Sequence, residues 1–246
     1  MKTVADDTLF NQAKERLTSA HRVAALTGAG ISAESGVPTF RGAGGLWKNY
    51  RSEDLATPEA FARDPQTVWE WYNWRRGLIA EKSPNPGHEA LAELERTKDF
   101  TLITQNVDGL HRSAGNQNIL ELHGCLFRVR CSKCQYQRED RTIPLPYPPN
   151  CPDCGKLLRP DVVWFGESLN ATTLEKAFQA AQVCEVMLVV GTSAVVQPAA
   201  SLAWQAKRSG GFVVEINVQE SAFSSEADAV LLGPSGEILP RLVEGL

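Results

Sequence analysis

Apolar residues recur along the chain with two periods. Leu9, Phe10, Ala13 and Leu17 share one face of a 3.6-residue repeat. They predict a helix over 8–21 with Asp6 or Asp7 as its N-cap. Val23-Ala24-Ala25-Leu26-Thr27 is a short apolar run closed by glycine and reads as a buried strand. Phe61, Val68, Trp69, Tyr72 and Leu78 carry helical spacing across 58–81, with Asp64-Pro65 as a start signal. Trp69, Trp71 and Trp74 read there as packing residues. His88, Leu91 and Leu94 mark a helix over 86–97. Further strands are predicted at Phe100–Thr104, Ile119–Leu122, Val186–Val190, Phe212–Ile216 and Ala229–Leu232. Helices are predicted at 172–184, at 198–209 and at the C-terminus. Strands that alternate with helices predict an α/β fold, a parallel sheet wrapped by helices.

Two stretches break this alternation. Residues 36–58 are rich in glycine and read as a long loop, which inside a compact domain is usually functional. Residues 125–160 hold five cysteines, four of them in two C-x2-C pairs, and six prolines with little apolar periodicity. They read as a small module stapled by metal.

Composition narrows the function classes. With 246 residues, 43% of them hydrophobic, the chain can build one core, or one core and a satellite module. A formal net charge of −4 offers no basic surplus for a phosphate backbone, so no nucleic-acid partner is expected. No apolar run approaches the roughly 20 residues that span a bilayer, so no membrane association is expected. Met1–Ala20 carries Asp6, Asp7 and Glu15 without an apolar stretch. It resembles neither a secretory leader nor a transit peptide, and a cytoplasmic location is expected. In that compartment six cysteines mean metal ligands or free thiols rather than disulfides. The sequence does not fix an oligomeric state and is compatible with a monomer.

Cys131-x2-Cys134 and Cys151-x2-Cys154 form two tight knuckles whose spacing suits one tetrahedral zinc. Four thiolates leave no open coordination position, so the metal is expected to be structural and a zinc hydrolase is disfavoured. Cys125 and Cys184 are left over and read as buried structural thiols. His21, His88 and His111 also read as structural, His88 as part of a helix start after Asn85-Pro86-Gly87.

Gly28-Ala29-Gly30-Ile31-Ser32-Ala33 follows the first strand and fits G-x-G-x-x-G/A. Such glycines let backbone approach a pyrophosphate at a helix N-terminus. Gly36 and Pro38 cut the following helix short, and neither Asp99 nor Glu53 is well placed as a ribose acid. The pattern therefore points to a dinucleotide held in an unusual way.

The longer run from Gly28 through Ser35-Gly36-Val37-Pro38-Thr39-Phe40-Arg41-Gly42 resembles the cofactor loop of the sirtuin family. Thr104-Gln105-Asn106-Val107-Asp108-Gly109-Leu110-His111 resembles its second signature, and Glu121-Leu122-His123-Gly124 its third. Val163-Trp164-Phe165-Gly166-Glu167 is similar to its substrate-binding strand. Gly191-Thr192-Ser193 and Glu215-Ile216-Asn217 are similar to its nucleotide contacts. The motifs occur in order from about residue 20 to the C-terminus.

The resemblance implies a Rossmann-like large domain of residues 1–45, 85–124 and 161–246. It implies a small domain made of a helical insertion, 46–84, and a zinc ribbon, 125–160. NAD would be the co-substrate and acylated lysine side chains of proteins the substrate. The products would be nicotinamide, free lysine and O-acyl-ADP-ribose. His123 is then the general base, because imidazole titrates near neutrality and can take a proton from a ribose hydroxyl.

Asn106 would order ribose and water, Asp108 would contact the nicotinamide amide, and Gln105 a ribose hydroxyl. Gly28, Ala29, Gly30 and Ser32 belong to the cofactor loop. Phe40 would cover the reacting ring and Arg41 would meet phosphate. Gly191, Thr192, Ser193, Asn217 and Ser235 would hold the adenosine half. Val163, Phe165, Gly166 and Glu167 would line the peptide.

Tyr72 and Arg75 lie three apart on one helix face and resemble the subgroup that acts on acidic acyl groups. A guanidinium in the acyl pocket binds a distal carboxylate bidentately. Succinyl and malonyl are therefore the expected acyl groups, alongside acetyl. The same nucleotide half would also serve a mono-ADP-ribosyltransferase or an NAD glycohydrolase. A zinc-ribbon binding module without activity is the remaining alternative.

Overall fold

A computed structural model describes residues 4–38, 46–47 and 50–246. The first elements are α1 (Val4–Ser19), β1 (Arg22–Thr27), α2 (Ala29–Ala33), β2 (Leu46–Trp47), β3 (Tyr50–Arg51) and α3 (Ser52–Leu55). There follow α4 (Pro58–Arg63), α5 (Pro65–Ala80), α6 (Pro86–Thr97), β4 (Asp99–Thr104), α7 (Leu110–Ala114) and β5 (Ile119–Glu121). Next come β6 (Gly124–Cys131), β7 (Gln137–Glu139), β8 (Leu158–Val162) and α8 (Ala171–Val183). The chain ends with β9 (Val186–Val190), α9 (Ser201–Arg208), β10 (Phe212–Asn217), β11 (Ala229–Leu232) and α10 (Ser235–Val243).

β1 sits inside a six-stranded sheet of order β11-β10-β9-β1-β4-β5, and every pairing in it is parallel. Both faces are covered, which explains why β1 and β9 read as apolar runs without alternation. On one face Val23, Ala25, Leu102, Leu188, Val214 and Ile216 pack with residues of α1, α6 and α10. On the other, Ala24, Leu26, Ile103, Val189 and Val213 pack with α8 and α9. The expected parallel sheet wrapped by helices is the fold. Strand order reverses on either side of β1, the place where folds of this type open a crevice for ligands.

The helix starts follow local chemistry. Thr57 caps α4, and Asp64 caps α5 by accepting from the backbone N–H of Thr67. Asn85 and His88 form a reciprocal capping box at α6. Each of these three helices has proline in its first turn.

A third core joins α4 and α5 to a three-stranded antiparallel sheet of order β7-β6-β8. Trp69, Tyr72, Leu126, Val129, Leu158 and Trp164 are buried in it. Arg76, fully buried, ties the two parts together. Its Nη1 donates to the Leu126 carbonyl at 2.9 Å, and its Nη2 to the Thr142 carbonyl at 3.1 Å and to the Asp140 carbonyl. The Asp140 carboxylate lies 3.8 Å away. Arg76→Met removes the donor to these three carbonyls and one of the two cations facing Asp140, which keeps Arg138 at 2.8 Å. It is expected to destabilise the protein by about 3–5 kcal/mol. Urea unfolding measures this, and an unchanged midpoint would show that the contacts are dispensable.

The strands of the small sheet and helix α7 were not predicted. The outer positions of β6 to β8 are charged rather than apolar, with Arg128 on Asp161 and Glu121, and Arg130 near Asp161 and Glu167. α7 is five residues long, too short to show a period. The loop predicted over 36–58 contains the β2–β3 pairing and α3. Trp69 and Trp71 are packing residues, but Trp74 is 39% exposed. Among the described residues no helix is long and apolar enough to cross a membrane.

Candidate active site at the carboxyl ends of the strands

Most of the residues singled out in the sequence stand where β1, β4, β5, β9 and β10 end. After β1 the chain turns at Gly28 into the short helix α2. The backbone N–H of Gly30 donates to the Gly191 carbonyl at 2.8 Å, joining this turn to the one after β9. A Cβ on Gly30 would lie 2.6 Å from the Gly191 Cα, and one on Gly28 would lie 2.8 Å from the Gly191 carbonyl oxygen. Gly191 itself has φ +59°. The sequence pattern suggested glycines that admit a pyrophosphate. The structure shows a prior requirement: the glycines let two loops of the protein touch. Ala29 opens α2, and Ser32 is buried on it.

Ser32 is the centre of a buried hydrogen-bond lattice. Its hydroxyl donates to Asp108 Oδ2 at 2.8 Å, and Asp108 Oδ1 accepts from the Leu110 backbone N–H at 2.9 Å. Asn106 Nδ2 donates to Ser32 Oγ at 3.1 Å and to the Gly28 carbonyl at 3.0 Å. His88 Nδ1 accepts from the backbone N–H of Asn85, so its Nε2 carries the proton and faces Ser32 Oγ at 3.4 Å. Burial pulls His88 down to about 4 and holds His111, which bonds Thr27 Oγ1, well below its ordinary value. Both rings are therefore neutral and structural, as expected. Burial raises the Asp108 carboxyl, opposed by its two hydrogen bonds and by Arg75.

His123 follows β5. Its Nδ1 lies 2.9 Å from the Gln105 carbonyl, which can only accept. The proton of the neutral ring is thus on Nδ1, and the lone pair is on Nε2. Burial lowers its pKa, partly opposed by the Gln105 carbonyl. At neutral pH the ring is an uncharged, oriented base. The Gln105 amide donates to Thr192 Oγ1 at 3.0 Å, and Asn217 Nδ2 donates to the Thr192 carbonyl at 3.0 Å. One polar seam therefore links the ends of β4, β9 and β10.

Ser193 lies next to Ala194, whose φ of +54° strains this turn. Ser235 stands at the start of α10. Its hydroxyl donates to Glu34 Oε1 at 2.6 Å, and the Gly236 N–H also reaches that carboxylate. Ser235 thus fastens α10 to α2. Phe40 and Arg41 lie outside the described residues.

Tyr72 and Arg75 do share a face of α5. Tyr72 is fully buried, and its hydroxyl accepts from Trp164 Nε1 at 2.8 Å. The Arg75 guanidinium lies 5.0 Å from the centre of the Trp71 ring. Burial lowers its pKa, opposed by Tyr72 and then Asp108.

The segment Val163–Glu167 is not a strand, contrary to expectation. It leaves β8 with the Val163 N–H donating to the His123 carbonyl at 3.0 Å and the Phe165 N–H to the Ala56 carbonyl at 2.9 Å. It then turns at Gly166, φ +83°. Phe165 is 55% exposed, whereas the Glu167 carboxylate is held by Arg159 at 2.6 and 2.9 Å.

The sulfur atoms of Cys131, Cys134, Cys151 and Cys154 lie within 4.8 Å of one another. Cys131 and Cys154 are 3.4 Å apart, and Cys134 and Cys151 3.6 Å. A tetrahedral zinc with bonds of about 2.3 Å asks for sulfurs about 3.8 Å apart, so the four residues fit one ion. Backbone N–H groups of Lys133 and Cys134 point at Cys131 Sγ, as a thiolate knuckle requires. Cys125 and Cys184 are buried free thiols pushed up to about 11 by burial, so neither is an activated nucleophile at neutral pH.

Residues 28–198 match the profile of the Sir2 family. The chain belongs to the Sir2 family. An NAD-dependent protein deacylase of Pyrococcus furiosus is 54% identical over 243 residues, covering 96% of this chain and 97% of that protein. A Sir2 homologue solved as its NAD complex is 48% identical with TM-score 0.89, covering 95% of this chain and 92% of the other. Sir2Af2 bound to a myristoylated histone peptide is 33% identical with TM-score 0.78, covering 97% and 96%.

Within this Sir2 fold, sequence reasoning missed the partners of the residues it named. Trp164 was visible only as part of a motif, and its bond to Tyr72 spans 92 positions. Glu34 lies inside the glycine-loop run, but its role at α10, 201 positions away, has no local signal.

Proposed function

We propose that the chain is an NAD-dependent protein lysine deacylase that removes succinyl and malonyl groups as well as acetyl. The observation that carries this reading is the neutral His123, its proton on Nδ1 and its lone pair on Nε2, beside the Asn106–Ser32–Asp108 lattice. Bound NAD would supply a ribose whose C1′ takes the acyl oxygen as nicotinamide leaves; a ribose hydroxyl would then take the acyl carbon, and water would release the lysine amine. His123 Nε2 accepts the proton of a ribose hydroxyl, which makes that oxygen the nucleophile toward the acyl carbon. Asn106 and Gln105 orient the ribose, and Asp108 meets the nicotinamide amide. Gly28, Ala29, Gly30, Thr192, Ser193 and Asn217 receive the rest of the dinucleotide. Backbone of Val163 and Gly166 holds the extended peptide. The same reading assigns the three-core arrangement to a large domain of 1–45, 85–124 and 161–246 with 46–84 and 125–160 as its inserted partner.

The acyl preference rests on Tyr72 and Arg75. A half-buried guanidinium in the acyl pocket would gain from a distal carboxylate what an acetyl group cannot give. Charge-assisted hydrogen bonds contribute about 1.5–3 kcal/mol net, or about one to two decades. Arg75→Met is therefore expected to lower the ratio of kcat/KM on succinyl- and acetyl-lysine peptides by about 10- to 100-fold. An unchanged ratio would refute the pocket assignment. Mass spectrometry of the products separates deacylation from its alternatives: O-acyl-ADP-ribose supports it, whereas ADP-ribose alone identifies a glycohydrolase and an ADP-ribosylated protein a transferase.

A further inference from the structure

Trp164 belongs to the segment 163–167 and reaches from it to Tyr72. Its ring is buried, tilted against Phe61 with centroids 5.3 Å apart, and the Arg159 guanidinium lies 3.3 Å from its centre. The carboxylate of Glu167 holds Arg159 with two hydrogen bonds and also accepts from the Trp164 backbone N–H at 2.9 Å. The indole is thus clamped on three sides. Its Nε1–H ends on the Tyr72 hydroxyl at 2.8 Å.

We propose that Trp164 is a positioning residue for acyl specificity, occupying the Tyr72 oxygen as an acceptor so that the hydroxyl is left to donate, and so making the pocket select carboxylates. This rests on the deacylase reading above and deepens it. An indole N–H can only donate. The Tyr72 oxygen is therefore the acceptor of this bond, and its own proton must be given elsewhere. A freely rotating hydroxyl would serve donors and acceptors alike. Clamped by Trp164, it serves acceptors only, and burial, which raises its pKa, keeps the phenol protonated. Arg75, one turn further along α5 and also a pure donor, completes a pair that suits an anionic acyl terminus. The cation over the indole face draws electron density from the ring and strengthens its N–H as a donor. Arg159 and Glu167 thereby act on specificity through Trp164 and not through the substrate.

The test is a cycle with Trp164→Phe, Tyr72→Phe and the double variant, each measured on matched succinyl- and acetyl-lysine peptides. Trp164→Phe is expected to lower the succinyl-to-acetyl ratio of kcat/KM about five- to tenfold, the worth of one net hydrogen bond, with the change in KM rather than kcat. In the Tyr72→Phe background the same substitution is expected to leave the ratio as it stands. A drop of equal size in both backgrounds would overturn the proposal, because Trp164 would then act by packing alone. No drop in either background would overturn it as well. If the phenylalanine variant fails to fold, benzothienylalanine at 164 keeps the ring shape without the N–H and carries the same expectations. Arg75→Met run in parallel separates the two levels. A collapsed ratio there with an unmoved one at Trp164 sinks this inference alone, and an unmoved ratio in both sinks the acyl reading.

Discussion

His123→Ala is expected to lower kcat on an acyl-lysine peptide by about 10²–10⁴-fold, the usual range for removal of a positioned general base. The expectation comes from the ring's surroundings. The Gln105 carbonyl fixes the tautomer, and burial keeps the ring uncharged near neutrality. The pH profile follows with a definite sign. The base works only when neutral, so activity is lost as pH falls through the folded-state pKa and is flat above it. Because burial lowers that pKa, the acid limb falls below the ordinary histidine value of about 6.5. A variant that keeps full turnover would remove His123 from the reaction. An acid limb above 6.5 would assign that limb to another group.

Much of this site is legible in the sequence, and the reason is local. The turns after β1, β4 and β9 carry glycine and amide residues at short spacings, and each motif describes one strand end. Parallel strands then bring all those ends to one edge of the sheet, so local motifs assemble into a site without further information. The two cysteine knuckles were readable for the same reason.

Long-range pairs whose members have ordinary local roles were not readable. The bond of Ser235 to Glu34 is one, because nothing near position 235 reports the approach of α2. Val163–Glu167 was expected to be a strand through its similarity to the family's substrate-binding strand. Its N–H groups, however, bond the His123 and Ala56 carbonyls, and Gly166 turns the chain. Glu167 looked like a substrate contact, but Arg159 takes its carboxylate. In each case tertiary partners outweighed local pattern.

Removing metal from the four-cysteine site is expected to unfold the ribbon and the acyl pocket together while the six-stranded sheet stays folded. The cysteines are not a peripheral staple. Cys131 and Cys151 are buried in the same core as Trp69, Tyr72, Val129, Leu158 and Trp164. The sheet is buried between two other cores that contain none of the four cysteines. Zinc binding to small folded modules contributes about 10–16 kcal/mol, comparable with or above the whole stability of a domain at about 5–15 kcal/mol. Without it, the ribbon's few buried apolar residues do not offset its chain entropy.

Elemental analysis should find about one zinc per chain, as four thiolates around one tetrahedral ion require. After exhaustive chelation, calorimetry should show a new low-temperature transition, and amide exchange should accelerate across β6 to β8 and α5 but not β1, β4 or β9. Trp164 and Tyr72 stand in the part that melts, so acyl selectivity should disappear with the metal and return when zinc is restored. A chelated protein that melts in one unchanged transition would show that the ribbon holds itself together. Protection lost equally from β1 would show that the three cores unfold as one unit.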